Sequence, residues 1–380
     1  MRSGRFAVAA MLAWGLCFQS NVLTQAAPDR EEETGQYEPA ANWPQPWSER
    51  GYLSGSNAGV FAQSPDRVFL AVRGELKAPD PAPRNFLGFW GSLDQRATVP
   101  QPELRNCIVV IDRNGKAIEK WTQWDHLFQP SQPPRPGDYF AGPHKIKINP
   151  YDPEQHVWVV NEVQHVIYEF TNDGKQLVRT IGESGVAAND EKHFGRPQDL
   201  AWLPDGSMVV ADGLLNSRIV KFDRNGKFVA AWGTKGDGPG QLNGPHGIET
   251  DRDGRIFVAD RSNRRVQTLD QNGRPLEQWA GFRQINDLYI GVDQQVWVVD
   301  GVNSRLLKFD RTGKLQYWWG THGTYPGAFW EPHQVSVDPE GNVYVADSYN
   351  GRTQKFVPKA GADRAKLLSP PRVARSTASR

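Results

Sequence analysis

RIFVADRSNRRVQTLDQNGR, Arg255–Arg274, reads as two alternating apolar strands around a polar bend, closed by an Asn-Gly turn. The same pattern returns in HVWVVNEVQHVIYEFTNDGK (156–175), SMVVADGLLNSRIVKFDRNGK (207–227), QVWVVDGVNSRLLKFDRTGK (295–314) and NVYVADSYNGRTQKF (342–356). With Val157, Met208, Ile256, Val296 and Val343 as equivalent points, the spacings are 51, 48, 40 and 47 residues. Periods of that size with several short strands each indicate propeller blades. A more divergent copy, AGVFAQSPDRVFLAVRGEL (58–76), resumes as NCIVVIDRNGKAIEKW (106–121) after a proline-rich insertion at about residues 77–104. Six copies predict an all-β fold, a six-bladed β-propeller over residues 51–358. The last copy lacks a fourth strand, so chain before Gly59, around Tyr52, is expected to supply it, because an open sheet edge is a liability.

Outside this array the sequence changes character. Arg2 and Arg5 precede an apolar run from Phe6 to Phe18, with small residues at Thr24, Ala26 and Ala27, so residues 1–26 read as an export signal. The apolar run is shorter than the roughly 20 residues of a membrane span. A secreted or periplasmic protein without a retained membrane anchor is expected. Cleavage would leave Cys107 as the sole cysteine and no internal disulfide. Residues 27–50 read as a polar linker and 359–380 as a disordered basic tail. Lys and Arg total 44 against 43 Asp and Glu, a net charge of +1 that offers no field to a nucleic acid or an anionic membrane. The expectation is a monomer that acts on a small-molecule or peptide-derived substrate.

A repeat protein contains its own comparison. Residues present in nearly every blade serve the scaffold, and on that ground Asp212, Asp260, Asp300 and Asp347, with the Asn-x-Arg triplets that follow them, are structural. The residues opening each inner strand behave differently. GPHKI (142–146), RPQDL (196–200), GPHGI (244–248), QINDL (284–288) and EPHQV (331–335) align without gaps, and their third residues are His144, Gln198, His246, Asn286 and His333. Histidine falls in blades two, four and six, whose inner strands stand about 120° apart around one channel. Three imidazoles converging there match a catalytic zinc site, with three protein ligands and one open position. The plainer reading is a Pro-His turn in which each ring bonds a neighbouring carbonyl; three in one register favour metal. The other histidines, at 126, 156, 165, 193 and 322, share no register.

Arginine gives a second irregularity. After the recurrent Asp or its equivalent, blades two, three, five and six carry Glu162, Gly213, Gly301 and Ser348, whereas blades one and four carry Arg73 and Arg261. These blades face each other across a six-membered ring. Two guanidinium groups at one channel mouth suit an anionic substrate, and pairing with scaffold carboxylates is the other reading.

The VxVAD…N.R…KFD pattern resembles NHL repeats, and the His-bearing blades resemble the peptidyl-α-hydroxyglycine α-amidating lyase (peptidylamidoglycolate lyase) family over about Gly59–Phe356. The resemblance is carried by GPHKI, RPQDLAW with ADGLLNSRIVKF, GPHGIE with VADRSNRRVQ, and EPHQVSVDPEGNVYVAD. It implies catalytic zinc on His144, His246 and His333, active-site roles for Arg73 and Arg261, and cleavage of a carbinolamide to an amide and glyoxylate. Two positions depart. Leu214 stands where the family has its catalytic tyrosine, while Tyr349 holds the same blade position in blade six. Gln334 stands where an acidic residue would bind structural calcium. Two further readings are a non-catalytic NHL scaffold that binds a protein or peptide on one face, and a calcium-dependent propeller lactonase, whose channel would need several carboxylates.

Overall fold

The computed structural model describes residues 20–21, 29–31, 33–81, 84, 86, 90–92, 102–130 and 141–372. It is a six-bladed β-propeller with four antiparallel strands per blade, to which Ser20–Asn21 and Asp29–Glu31 add short parallel fifth strands at the outer edges of blades four and five. The inner strands are Asn57–Ser64, Lys145–Ile148, Pro197–Trp202, Pro245–Thr250, Ile285–Ile290 and Pro332–Val337. Each lies beside the next and the last lies beside the first, which closes the ring. Blades stack face to face, so a middle strand such as Ile256–Asp260 buries both of its faces. The apolar filling is shared between neighbours: Phe69 and Val110 of blade one pack with Ile146 and Val159 of blade two.

Recurrent polar residues hold the blades as the repeat comparison anticipated. Asp260, fully buried, accepts from Asn243 N (2.7 Å), Asn263 Nδ2 (2.7 Å) and Arg265 Nε (2.7 Å). Asp212 repeats this with Gly195 N, Asn216 Nδ2 and Arg218 Nε, and Asp347 with Trp330 N, Asn350 Nδ2 and Arg352 Nε. A buried carboxylate with three donors is the form in which such a charge is tolerated. The Asp-x-Asn-Gly turns are equally local. Asp270 Oδ1 accepts from Asn272 N and Arg274 N, both at 2.9 Å, and Gly273 takes the left-handed φ of 81° that the turn demands.

Closure of blade six departs from expectation. Its outer strand is Tyr37–Pro39, antiparallel to Arg352–Pro358, while Tyr52–Ser54 pairs with Glu75–Lys77 in a separate ribbon. The reason is apolar. Tyr37 is fully buried, 5.5 Å from the Trp319 ring, and its hydroxyl accepts from Leu368 N at 2.7 Å. Residues 27–50 are therefore not merely a linker. The segment 359–372 is not a loose tail either. Asp363 caps the short turn Arg364–Lys366, Leu368 is buried, and the carbonyl of Ser369 accepts from the Tyr289 hydroxyl at 2.7 Å. Arg372 Nη1 then donates to the Tyr151 hydroxyl at 3.1 Å, so the segment crosses the lower mouth of the channel. Its Leu-Leu-Ser-Pro-Pro sequence supplies apolar contact with little backbone freedom. Residues 373–380 and nearly all of the expected signal 1–26 lie outside the described residues, apart from Ser20–Asn21, which runs parallel to Pro275–Ala280. No helix among the described residues is long and apolar enough to cross a membrane.

Candidate active site

His144, His246 and His333 occupy equivalent positions at the upper ends of their inner strands. Each directs Nδ1 to the carbonyl of the equivalent residue in the following blade: His144 to Gln198 (2.7 Å), His246 to Asn286 (2.8 Å) and His333 to Ala58 (2.6 Å). A carbonyl can only accept, so Nδ1 carries the proton and the Nε2 lone pair is left for a ligand. The ring centroids lie 4.8, 4.8 and 5.0 Å apart. Their ligand atoms all fall within 4.8 Å of one another, the one such His, Cys or acid grouping among the described residues. Burial holds all three imidazoles well below the ordinary histidine range, helped by Arg73 and Lys145 at His144, Arg261 at His246, and His144 and Lys145 at His333. Three buried, neutral, pre-oriented imidazoles are the donor set that zinc takes in catalytic sites.

Above them opens a cavity of about 280 Å³, lined by Arg73, Glu162, Arg196, Arg261, Glu331 and Tyr349, with Leu214 at its side. The structure thus gathers all six candidate site residues, Arg73, His144, His246, Arg261, His333 and Tyr349, into one pocket. Leu214 and Tyr349 both line this cavity, and Tyr349 stacks on Trp330 at 5.8 Å. Burial and Glu331 raise the Tyr349 phenol above its ordinary range, against the pull of Arg261 and Arg73. Gly91, from the blade-one insertion, donates its N–H to the Tyr349 carbonyl at 2.8 Å. The proline-rich segment 129–143 before His144 falls mostly on 131–140, outside the described residues.

Glu162, Arg196 and Glu331 are additions that repeat comparison could have flagged. Glu162 is the one acid in the register that holds Arg73 and Arg261. Arg196 and Glu331 stand in the register of Gly142 and Gly244, where the backbone is left-handed: φ is 112° and 64° at the glycines, 66° at Arg196 and 62° at Glu331. A side chain there costs about 1 kcal/mol of strain, so its presence at a pocket points to use.

Below the histidines the channel is filled. Lys145 Nζ donates to Asp287 Oδ1 (2.7 Å), the His333 carbonyl (2.8 Å) and the Asn286 carbonyl (3.2 Å). Lys147 Nζ donates to Asp199 Oδ2 (3.0 Å), Glu249 Oε1 (3.1 Å) and the carbonyls of Leu200 and Ile248. Gln334 turns Oε1 to Val60 N (3.2 Å) and Nε2 to the Ile146 carbonyl (3.0 Å). Calcium requires six to eight oxygens, whereas here the oxygens are engaged and two tethered ammonium groups share the space. The residues do not fit calcium. Adding millimolar calcium to the purified protein is accordingly expected to move its melting temperature by less than about 1 °C; a rise of about 5 °C or more would show a site.

Comparison with known proteins supports the reading of the repeats. A family model described as NHL repeat matches residues 242–269 and 329–356. The repeats are NHL repeats. Peptidyl-glycine alpha-amidating monooxygenase B of Xenopus laevis is 26% identical over 300 residues, covering 74% of this chain and 31% of that protein. Peptidyl-alpha-hydroxyglycine alpha-amidating lyase 1 of Drosophila melanogaster is 28% identical over 257 residues, 58% of this chain and 45% of that protein. The probable peptidyl-alpha-hydroxyglycine alpha-amidating lyase pgal-1 of Caenorhabditis elegans is 35% identical over 131 residues, 34% of this chain and 37% of that protein. The chain spans less than half the length of each of these relatives.

Proposed function

We propose that the protein is an exported, monomeric, zinc-dependent lyase that breaks the C–N bond of a carbinolamide in a peptide-derived substrate, releasing an amide and glyoxylate. The observation that carries the reading is the convergence of three neutral imidazoles beneath an arginine-lined cavity. His144, His246 and His333 would hold the metal, which supplies Lewis acidity toward the substrate hydroxyl. The protein's own groups do the rest. Arg261 orients the substrate carboxylate, since guanidinium matches carboxylate in shape and charge, while Arg73 opposite it steadies the Glu162 carboxylate beside His144. Tyr349, whose phenol burial keeps protonated, would hand a proton to the departing nitrogen and recover the one lost by the hydroxyl. The balance is neutral: the O–H and C–N bonds break, a carbonyl forms, and the nitrogen gains the proton. The filled lower channel leaves the histidine side as the mouth by which substrate enters. Names carried by the relatives, which include amidating lyases, support this class of reaction.

The test is glyoxylate release from a peptide ending in α-hydroxyglycine by the purified, zinc-loaded protein. Release that depends on zinc is expected. No release would overturn the lyase reading and favour a scaffold that binds peptide on the same face.

A further inference from the structure

We propose that Glu162 sets the charge class of the ligand: it fills the Arg73–Arg196 side of the cavity as a built-in carboxylate, leaves Arg261 to receive one from outside, and so selects a monocarboxylate over a dicarboxylate. This deepens the lyase reading, because it concerns the same cavity, but its measurement involves no turnover.

The two sides of the cavity differ in what their arginines touch. Glu162 has a side chain only 5% exposed; Oε1 lies 2.5 Å from Arg196 Nη2, and Oε2 lies 3.5 Å from Arg73 Nη2. The same Oε2 is 3.5 Å from His144 Nε2, so the carboxylate reaches the metal end of the cavity rather than its rim. Two guanidinium groups thus already face a carboxylate at the place where an anionic ligand would lie. The Arg261 side chain, across the ring, makes no hydrogen bond or ion pair among the described residues, although the residue is half-buried and lines the same cavity. Burial works against its charge, with Glu331 and Glu162 opposing at longer range. A guanidinium desolvated without a partner is costly until an anion arrives.

The charge balance agrees. Among the lining side chains three guanidinium groups, Arg73, Arg196 and Arg261, stand against two carboxylates, Glu162 and Glu331, an excess of one positive charge before a metal adds its own. The backbone agrees too. Arg196 is held at a φ of 66° where blades two and four use glycine, His165 Nδ1 accepts its backbone N–H at 3.0 Å, and its guanidinium donates to Glu162. A second ligand carboxylate would have to displace Glu162 or lie against it.

Calorimetric titration of the full, metal-loaded chain with acetate and with succinate tests this. In the unaltered protein acetate is expected to bind at least about threefold more tightly than succinate, and Arg261→Gln to weaken acetate at least about tenfold, the value of one charge-assisted contact. Glu162→Gln, which keeps the side-chain shape, is expected to favour succinate over acetate by about tenfold, and Glu162→Gln with Arg196→Gln to abolish that gain. An unchanged succinate-to-acetate ratio in Glu162→Gln overturns the proposal. So does unaltered acetate binding in Arg261→Gln, a result that stands whether or not the Glu162 variant folds. A protein that releases no glyoxylate yet shows this switch would sink the lyase reading alone.

Discussion

Replacing His246 with alanine is expected to lower zinc affinity by at least about a hundredfold, since a lost ligand costs more than a lost partner of a ligand, and to abolish zinc-dependent glyoxylate release. His144 and His333 are buried with Nδ1 held by the carbonyls of Gln198 and Ala58, so the two remaining imidazoles cannot move in to replace His246. The same loss is expected for His144→Ala and His333→Ala. His193, an ion-paired surface residue beside Asp190 and Glu183, is the control, and His193→Ala should keep its zinc. Elemental analysis of the purified variants reads the outcome directly. Stoichiometric zinc retained in the triple variant His144→Ala, His246→Ala, His333→Ala would place the metal elsewhere.

The second large effect is expected far from the cavity. Tyr37→Ala should destabilise the protein by about 3–5 kcal/mol, in the range of buried aromatic truncations, and lower its melting temperature by about 10 °C. Tyr37 fills a site between blades five and six against Trp319, and its hydroxyl receives the Leu368 N–H. Losing it loosens both the strand that closes the ring and the C-terminal segment that crosses beneath it, and it exposes the edge of Arg352–Pro358 to association. Tyr52 is the contrast. It is half-buried, contacts the Arg105 guanidinium at 4.1 Å and donates to Glu103 at 3.3 Å, so Tyr52→Ala should cost about 1 kcal/mol or less. Equal losses in the two variants, measured by thermal or denaturant unfolding, would contradict Tyr37–Pro39 as the closing strand.

The two readings of the Pro-His elements, turn residue bonded to a carbonyl or metal ligand, prove compatible. Each ring does bond a neighbouring carbonyl, through Nδ1, and that bond is what presents Nε2 to the axis. For the arginines the outcome is divided. Arg73 faces the carboxylate of Glu162, while Arg261 has no such partner among the described residues. Gln334 lies on an axis that Lys145 and Lys147 fill.

Blade number, strand alternation, the Asp-x-Asn-Gly turns and the register of His144, His246 and His333 were all legible in the chain itself. Each is a local pattern repeated at a fixed interval, and equivalent positions in a ring of equal blades must face the same axis. Tertiary structure alone decided which N-terminal strand completes blade six, where residues 359–372 run, and how charges divide across the channel. Those outcomes join residues far apart in sequence: Tyr37 with Leu368, Glu162 with Arg73, Lys145 with Asp287. Their contacts follow from distances across the closed ring and from which apolar side chain best fills a gap between blades, and neither quantity leaves a period in the sequence.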